Sequence, residues 1–159
     1  EAVLIVSLVA HVALAMNLTM TNKQAKGTRY AASAKGDKAI SLRSQTMAVH
    51  GMITLFFIVY HLITFKFGSY YETNVNGVVM RDLHKLILEV FTQPGYVVGY
   101  LICLVLLGLH LRHGSSSVFQ SLGLLTRANE KTIESVSCFY AFIVTLGFLS
   151  QPIYVFLIH

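Results

Sequence analysis

Five histidines fall inside apolar stretches of this 159-residue chain: His11, His50, His61, His110 and His113. An ionisable ring at membrane depth is costly, and where one occurs it is a functional candidate. Imidazole suits metal ligation, proton transfer or a hydrogen bond to a neighbouring helix. Spacing narrows the choice. His110 and His113 form an HxxH followed directly by Gly114, while His50 and His61 stand eleven residues apart. That separation is about three helical turns, so His50 and His61 share a face with Thr54, Phe57 and Ile58. A zinc site needs about four convergent ligands, and these histidines lack cysteine or carboxylate companions. There is no H-E-x-x-H, and the carboxylates of a di-iron centre are missing too. A haem iron needs only two axial ligands, which two imidazoles on separate helices can supply.

The elements that must carry these rings are membrane helices. The chain is 55% hydrophobic and 12% charged, against about 25% charged in ordinary soluble domains. The fold class expected is an all-α transmembrane helix bundle with four spans, at about 2–21, 46–67, 95–120 and 134–158, forming one domain over 1–159. Each is near the ~20 residues that cross a bilayer. No basic lead-in or A-x-A site marks the first as a cleavable signal. Glu1 opens directly into an apolar run, so a preceding segment is expected to be absent. Cys103 and Cys138 lie within spans, where a thiol behaves as a small hydrophobe.

Nine of the twelve Lys and Arg residues lie in or beside the 22–45 and 121–133 loops, including Lys23, Lys26, Arg29, Lys35, Lys38 and Arg43. This asymmetry puts those loops in the cytoplasm and the 68–94 loop and C-terminus outside. Basic residues that flank spans without interleaved aromatics exclude a nucleic-acid partner. With a rise of ~1.5 Å per residue, His11 lies ~15 Å from the cytoplasmic end of its span, His113 ~12 Å and His110 ~16 Å. His61 lies ~24 Å in, at another level. His11 and the 110/113 pair can therefore meet at one depth, and His61 is left without a partner. Ala10, Ala13 and Ala15 around His11, with Gly108 and Gly114 beside the HxxH, are expected to make room for a flat ligand.

Several segments in order, HVALAMNLTMTNKQAKGTRY, RSQTMAVHGMITLFFIVYHLITF, DLHKLILEVFTQPGYVVGYLICLVLLGLHLRHGSSSVFQSLGL and GFLSQPI, resemble the five-helix, single-subunit, di-haem cytochrome b anchor of succinate dehydrogenase/fumarate reductase. YHLxxF and LHLxHGxxSxFQxLG are the specific parts. The resemblance implies that the four spans match the family's second to fifth helices, the first being outside this chain. It implies two haem b groups. His11 and His113 would be the axial ligands of the inner one; His61 would be one ligand of the outer one, whose other ligand lies on the absent helix. Arg43 and Ser44 are propionate candidates; His50 is not part of the family pattern, and its place near the cytoplasmic end of its span suggests a haem-edge or propionate contact, or else a packing histidine. His110 would pack or hydrogen-bond beside the ring. The implied partners are a flavoprotein and an iron–sulfur subunit on the cytoplasmic side and a membrane quinone, in a bacterial cytoplasmic membrane. The chain would belong to a succinate:quinone oxidoreductase, moving electrons without performing the dicarboxylate chemistry.

Two departures matter. Some family members carry a glutamate two residues before the fourth-helix ligand; Leu111 stands there, so that proton route is not carried over. A quinone-site acid of the first outer loop would lie in the absent segment. The alternatives are a cytochrome b subunit of another respiratory complex and a histidine-relay transporter, although the spans hold no acids away from their ends. His84 is expected at the surface of an amphipathic stretch at the membrane interface, and Pro152 to loosen the last span.

Overall fold

A backbone inside hydrocarbon must satisfy its own N–H and C=O groups, which a helix does within one segment. The computed structural model describes residues 1–25 and 42–159, with the side chains of Lys23, Ala25 and 42–45 excepted. The basic residues Lys26, Arg29, Lys35 and Lys38 therefore lie outside the described residues, as do the side chains of Arg43 and Ser44. Five α-helices are described: α1 Ala2–Ala25, α2 Leu42–His61, α3 Leu83–Phe91, α4 Pro94–Ser121 and α5 Glu130–Ile158. Four helical segments are long and apolar enough to cross a membrane, the second of them running from Thr46 to Lys66. The fold is thus an all-α helical membrane bundle. The chain divides into two units, Glu1–Ala48 and Val49–His159. The first holds α1, which is apolar all round, as a lipid-crossing helix is.

In the second unit, α4 and α5 pack along each other, and α3 lies against both. Its core is Leu86, Val90 and Phe91 of α3, Val97 and Tyr100 of α4 and Val155 of α5. Helix α3 is amphipathic: Leu86 and Val90 are buried while His84 is exposed. Asp82 caps it by accepting the Lys85 amide at 2.9 Å, meeting one of the amides that every helix start leaves over. Helix α4 starts on Pro94, which suits a first turn where no amide is needed. It ends in a Schellman turn. Gly123 takes a positive φ of 70°, its amide donates to Gln120 and that of Leu124 to Phe119. Asn129 staples the reversal into α5 by donating to the Leu124 carbonyl at 2.9 Å. Helix α5 continues through the fully buried Pro152 without a break in its assignment.

Between α2 and α3 the chain does something hydropathy does not reveal. After His61 the helix widens into a π-turn, Leu62–Lys66, closed by the Phe67 amide on the Leu62 carbonyl at 2.9 Å. Gly68 is required there, because a Cβ would collide with the Thr64 carbonyl. A two-stranded antiparallel hairpin follows, β1 Glu72–Val75 and β2 Val78–Arg81. Its two-residue turn is Asn76-Gly77, both with positive φ (54° and 84°), as a type I′ turn demands. Arg81 then reaches back to the end of the π-turn. Its guanidinium donates to the carbonyl of Lys66 (3.0 Å), which a helix end leaves without an intrahelical partner, and to those of Gly68 (3.3 Å) and Ser69 (3.1 Å) just beyond it.

The hairpin is also tied to α3. The Tyr71 hydroxyl donates to the Glu89 carboxylate at 2.6 Å, and that bond is the main reason its pKa is raised. Raising it stabilises the neutral phenol in the fold, so this contribution is present below the ordinary tyrosine range and fades as pH rises through the raised value. Two outcomes are expected. Arg81→Ala should cost roughly 1–3 kcal/mol and speed hydrogen exchange at residues 66–69; unchanged exchange there would contradict the capping role. Ultraviolet titration of Glu89→Gln should show one tyrosine ionising at lower pH than in the parent protein.

Candidate functional site

In the second unit, side chains of α2 meet α4 at two levels. At one, a Cβ on Gly51 would stand 3.1 Å from His110 Cε1 and 3.7 Å from its Nδ1, so the ring rests on the glycine's bare backbone. At the other, His61 meets Tyr100, with ring centroids 6.2 Å apart. Ten residues separate Gly51 from His61, and ten separate His110 from Tyr100. The equal offsets mean that α2 and α4 lie antiparallel in register, their two contact levels ~15 Å apart.

The His61 level is aromatic. His61 stands 5.1 Å from Phe65 and 6.1 Å from Phe57, centroid to centroid. Tyr100, 3% exposed, meets Phe57 and Phe91 edge-on at 5.1 Å each, an arrangement that the ring quadrupoles favour. Tyr60 stacks on Tyr96 at 6.1 Å beside it. His61 itself is exposed on the second unit, so one side of the ring is apolar wall and the other is accessible. It is the last residue of α2 before the π-turn, a type of irregularity that recurs at functional sites.

The His110 level holds the rest of the HxxH. His110 and His113 are both half-buried, as is His50, which precedes Gly51 on α2. Below them the serines close on their own helix. Ser115 Oγ donates to the Leu111 carbonyl at 2.8 Å and Ser116 Oγ to that of His113 at 3.0 Å. Their hydroxyls are thereby satisfied within the helix, which lets a polar run enter the span. Thr54, 7% exposed and between the two levels on α2, has a buried hydroxyl with no hydrogen-bond partner among the described residues.

One expectation needs correction. Gly108 was expected to make room for a flat ligand, but α5 takes that room. A Cβ at Gly108 would collide with Thr145 Oγ1 and lie 3.1 Å from its Cγ2. The Thr145 hydroxyl is turned back onto the Ala141 carbonyl at 2.6 Å, so the contact is close packing of two spans through small residues. Nothing in the sequence tells a glycine that admits a ligand from one that admits a helix.

The sequence-predicted residues thus fall as follows. His61 and His113 lie on different spans of one unit and at different levels, with Tyr100 thirteen residues, ~20 Å, above His113 on α4. His50 lies at the end of α2 that carries the Gly51–His110 contact. His11 is within α1, in the first unit. Arg43 and Ser44 lie in the first turn of α2. Sequence reading missed the aromatic wall around His61, although YHLITF carries it openly, and it missed Gly51 as the seat of His110. Among the described residues, no three His, Cys, Asp or Glu side chains converge as a multi-ligand metal ion would require.

Comparison of the chain with protein-family models, with curated proteins and with solved structures finds no match.

The packing at Gly108 can be checked directly. Gly108→Ala should destabilise the α4–α5 pair by about 1–3 kcal/mol in a detergent unfolding titration, and adding Thr145→Ala should restore most of the loss. A Gly108→Ala protein as stable as the parent would contradict the close contact.

Proposed function

We propose that this chain is a haem-bearing membrane subunit that passes electrons through the bilayer, the anchor of a succinate:quinone oxidoreductase. One observation carries the haem reading: histidines stand at two separate levels of an antiparallel helix pair inside apolar spans, without acidic companions at either level. A proton relay would need acids or a continuous polar path between those levels; the described residues between them on α2 and α4 are mainly apolar. Two levels instead suit two cofactors, one above the other.

The residues fit such a group. An imidazole on an apolar helix is the ordinary donor to a haem iron. His61 has a wall of Phe57, Phe65 and Tyr100 against which a flat ring system could lie. The buried Thr54 hydroxyl leaves a donor for a polar substituent. His113 would hold the inner haem together with His11, an assignment that rests on depth along the spans and on the family resemblance rather than on a distance. His61 would hold the outer one. His110, seated on Gly51, orients and packs. When bound, haem supplies one-electron redox chemistry; the chain contributes ligation, burial and orientation.

The narrower identity rests on the order and spacing of YHLITF, LHLRHGSSSVFQSLG and GFLSQPI, and brings with it a flavoprotein, an iron–sulfur partner and a quinone. The basic residues near the 22–45 loop then serve as docking surface and as counter-charge to propionates, with Arg43, Ser44 and His50 nearest. A dithionite-reduced visible spectrum of the purified native protein should show a b-type α-band, and His113→Ala should lose part of it while α-helical content is kept. A protein without b-type haem, or a His113→Ala spectrum identical to the parent, would overturn the haem reading. A haem-containing protein that co-purifies with no flavin-bearing subunit would overturn only the succinate assignment.

A further inference from the structure

The β1–β2 hairpin lies on the chain between two segments that belong to the membrane. It follows the span that ends at Lys66, and the amphipathic α3 begins after it with only Asp82 between. Tyrosines mark the level. Tyr60 at the end of α2 stacks on Tyr96 in the first turn of α4, and Tyr70 and Tyr71 stand just ahead of β1. Rings with a polar tip gather where spans leave the hydrocarbon. Phe67, between that span and these tyrosines, is 75% exposed.

The hairpin has two unlike faces. Side chains alternate along a strand, and residues paired across the ladder share a face. The pairs Glu72–Arg81 and Asn74–Val79 make one face, polar except for Val79. The pairs Thr73–Met80 and Val75–Val78 make the other, which carries no charge. Among the described residues, the hairpin is tied to the helices at its base, by Arg81 to the carbonyls that follow α2 and by the Tyr71 hydroxyl to Glu89 of α3. Val75, Val78 and Met80, farther along it, are all exposed.

We propose that this uncharged face lies on the bilayer surface, with Val75, Val78 and Met80 turned toward the boundary between head groups and acyl chains. Continuity with the lipid-facing spans carries the choice of partner. The chain enters and leaves the hairpin at the membrane, so lipid is the apolar medium already beside it. Strand length then decides the posture. Four residues extend ~13 Å, whereas the polar layer on each side of the hydrocarbon is roughly 5–8 Å deep. An upright hairpin would carry the Val75–Val78 pair through that layer into water; a flat one keeps the whole face at one depth. The backbone limits how deep it goes. Both strands are edges, with N–H and C=O groups that have no ladder partner on their outer sides. Such groups need water, which the head-group layer supplies and the hydrocarbon does not. Through Arg81 the contact steadies the end of α2 that carries His61. The proposal needs only the membrane spans and no cofactor.

The chain has no tryptophan, so single substitutions report one position at a time. Val78→Trp, Met80→Trp and, on the opposite face, Val79→Trp are compared in lipid nanodiscs, which leave both membrane surfaces open to solutes. Discs of dioleoylphosphatidylcholine and of the same lipid brominated near the head of its acyl chains give an emission ratio in which any quencher within the protein cancels. Tryptophan is at home in a strand, and circular dichroism of each variant checks that the fold persists. Val78→Trp and Met80→Trp should both show blue-shifted emission that falls in brominated lipid and resists iodide. Val79→Trp should keep its emission in brominated lipid and lose it to iodide. Iodide quenching of Val78→Trp as strong as that of Val79→Trp would overturn the proposal, because the tip then stands in water. Blue-shifted emission at Val78→Trp that brominated lipid leaves unchanged would also overturn it and assign the face to a protein surface, from a partner or a second copy.

Discussion

The fold depends on one constraint: in hydrocarbon, each backbone and side-chain polar group must find its partner within the protein. The helices answer it for the backbone, and the details answer it where helices alone cannot. Thr64 donates to Tyr60, Thr145 to Ala141 and Ser115 to Leu111, each turning a hydroxyl onto its own helix. After α2, Arg81 collects the carbonyl of Lys66 at the end of the π-turn and those of Gly68 and Ser69 just beyond it. The same constraint makes the exceptions informative. The Thr54 hydroxyl, between the two histidine levels, is buried without a partner among the described residues, as are the Tyr100 and Ser137 hydroxyls and the Nε atoms of Arg81 and Arg112.

Packing turns this accounting into a site. Helices α2 and α4 touch at two levels in ways of different kinds, a ring seated on bare backbone at Gly51–His110 and an aromatic cluster at His61–Tyr100. Under the proposed function, histidines at two heights would hold two cofactors at a spacing set by helix rise and not by loop conformation. Helix α5 serves a different purpose. It closes on α4 at Gly108 and opens from it around Arg112, so one helix pair supplies both a tight seam and a cleft.

Much of this was legible in the sequence. Hydropathy reveals four spans because lipid permits so few alternatives, though α5 begins at Glu130 and α1 reaches Ala25, beyond the apolar runs, since a helix continues into its polar ends. The hairpin was legible too: Asn-Gly between ETNV and VVMR is a strong turn signal, overshadowed by the amphipathic stretch after it. The π-turn has no residue signature, because LITFK is as compatible with α-helix as with π. Gly108 shows the other limit. A small residue beside HxxH fits a ligand and a neighbouring span equally well, and only the placement of Thr145 decides.

Haem stoichiometry in single histidine variants tests the two-level account most directly. Pyridine haemochrome assays on the purified native protein, His61→Ala and His113→Ala should show each variant losing a different haem and keeping the other, with distinct midpoint potentials for the survivors. If either substitution removes all haem while the helices persist, or if neither removes any, the two levels do not hold two cofactors and the central claim is wrong.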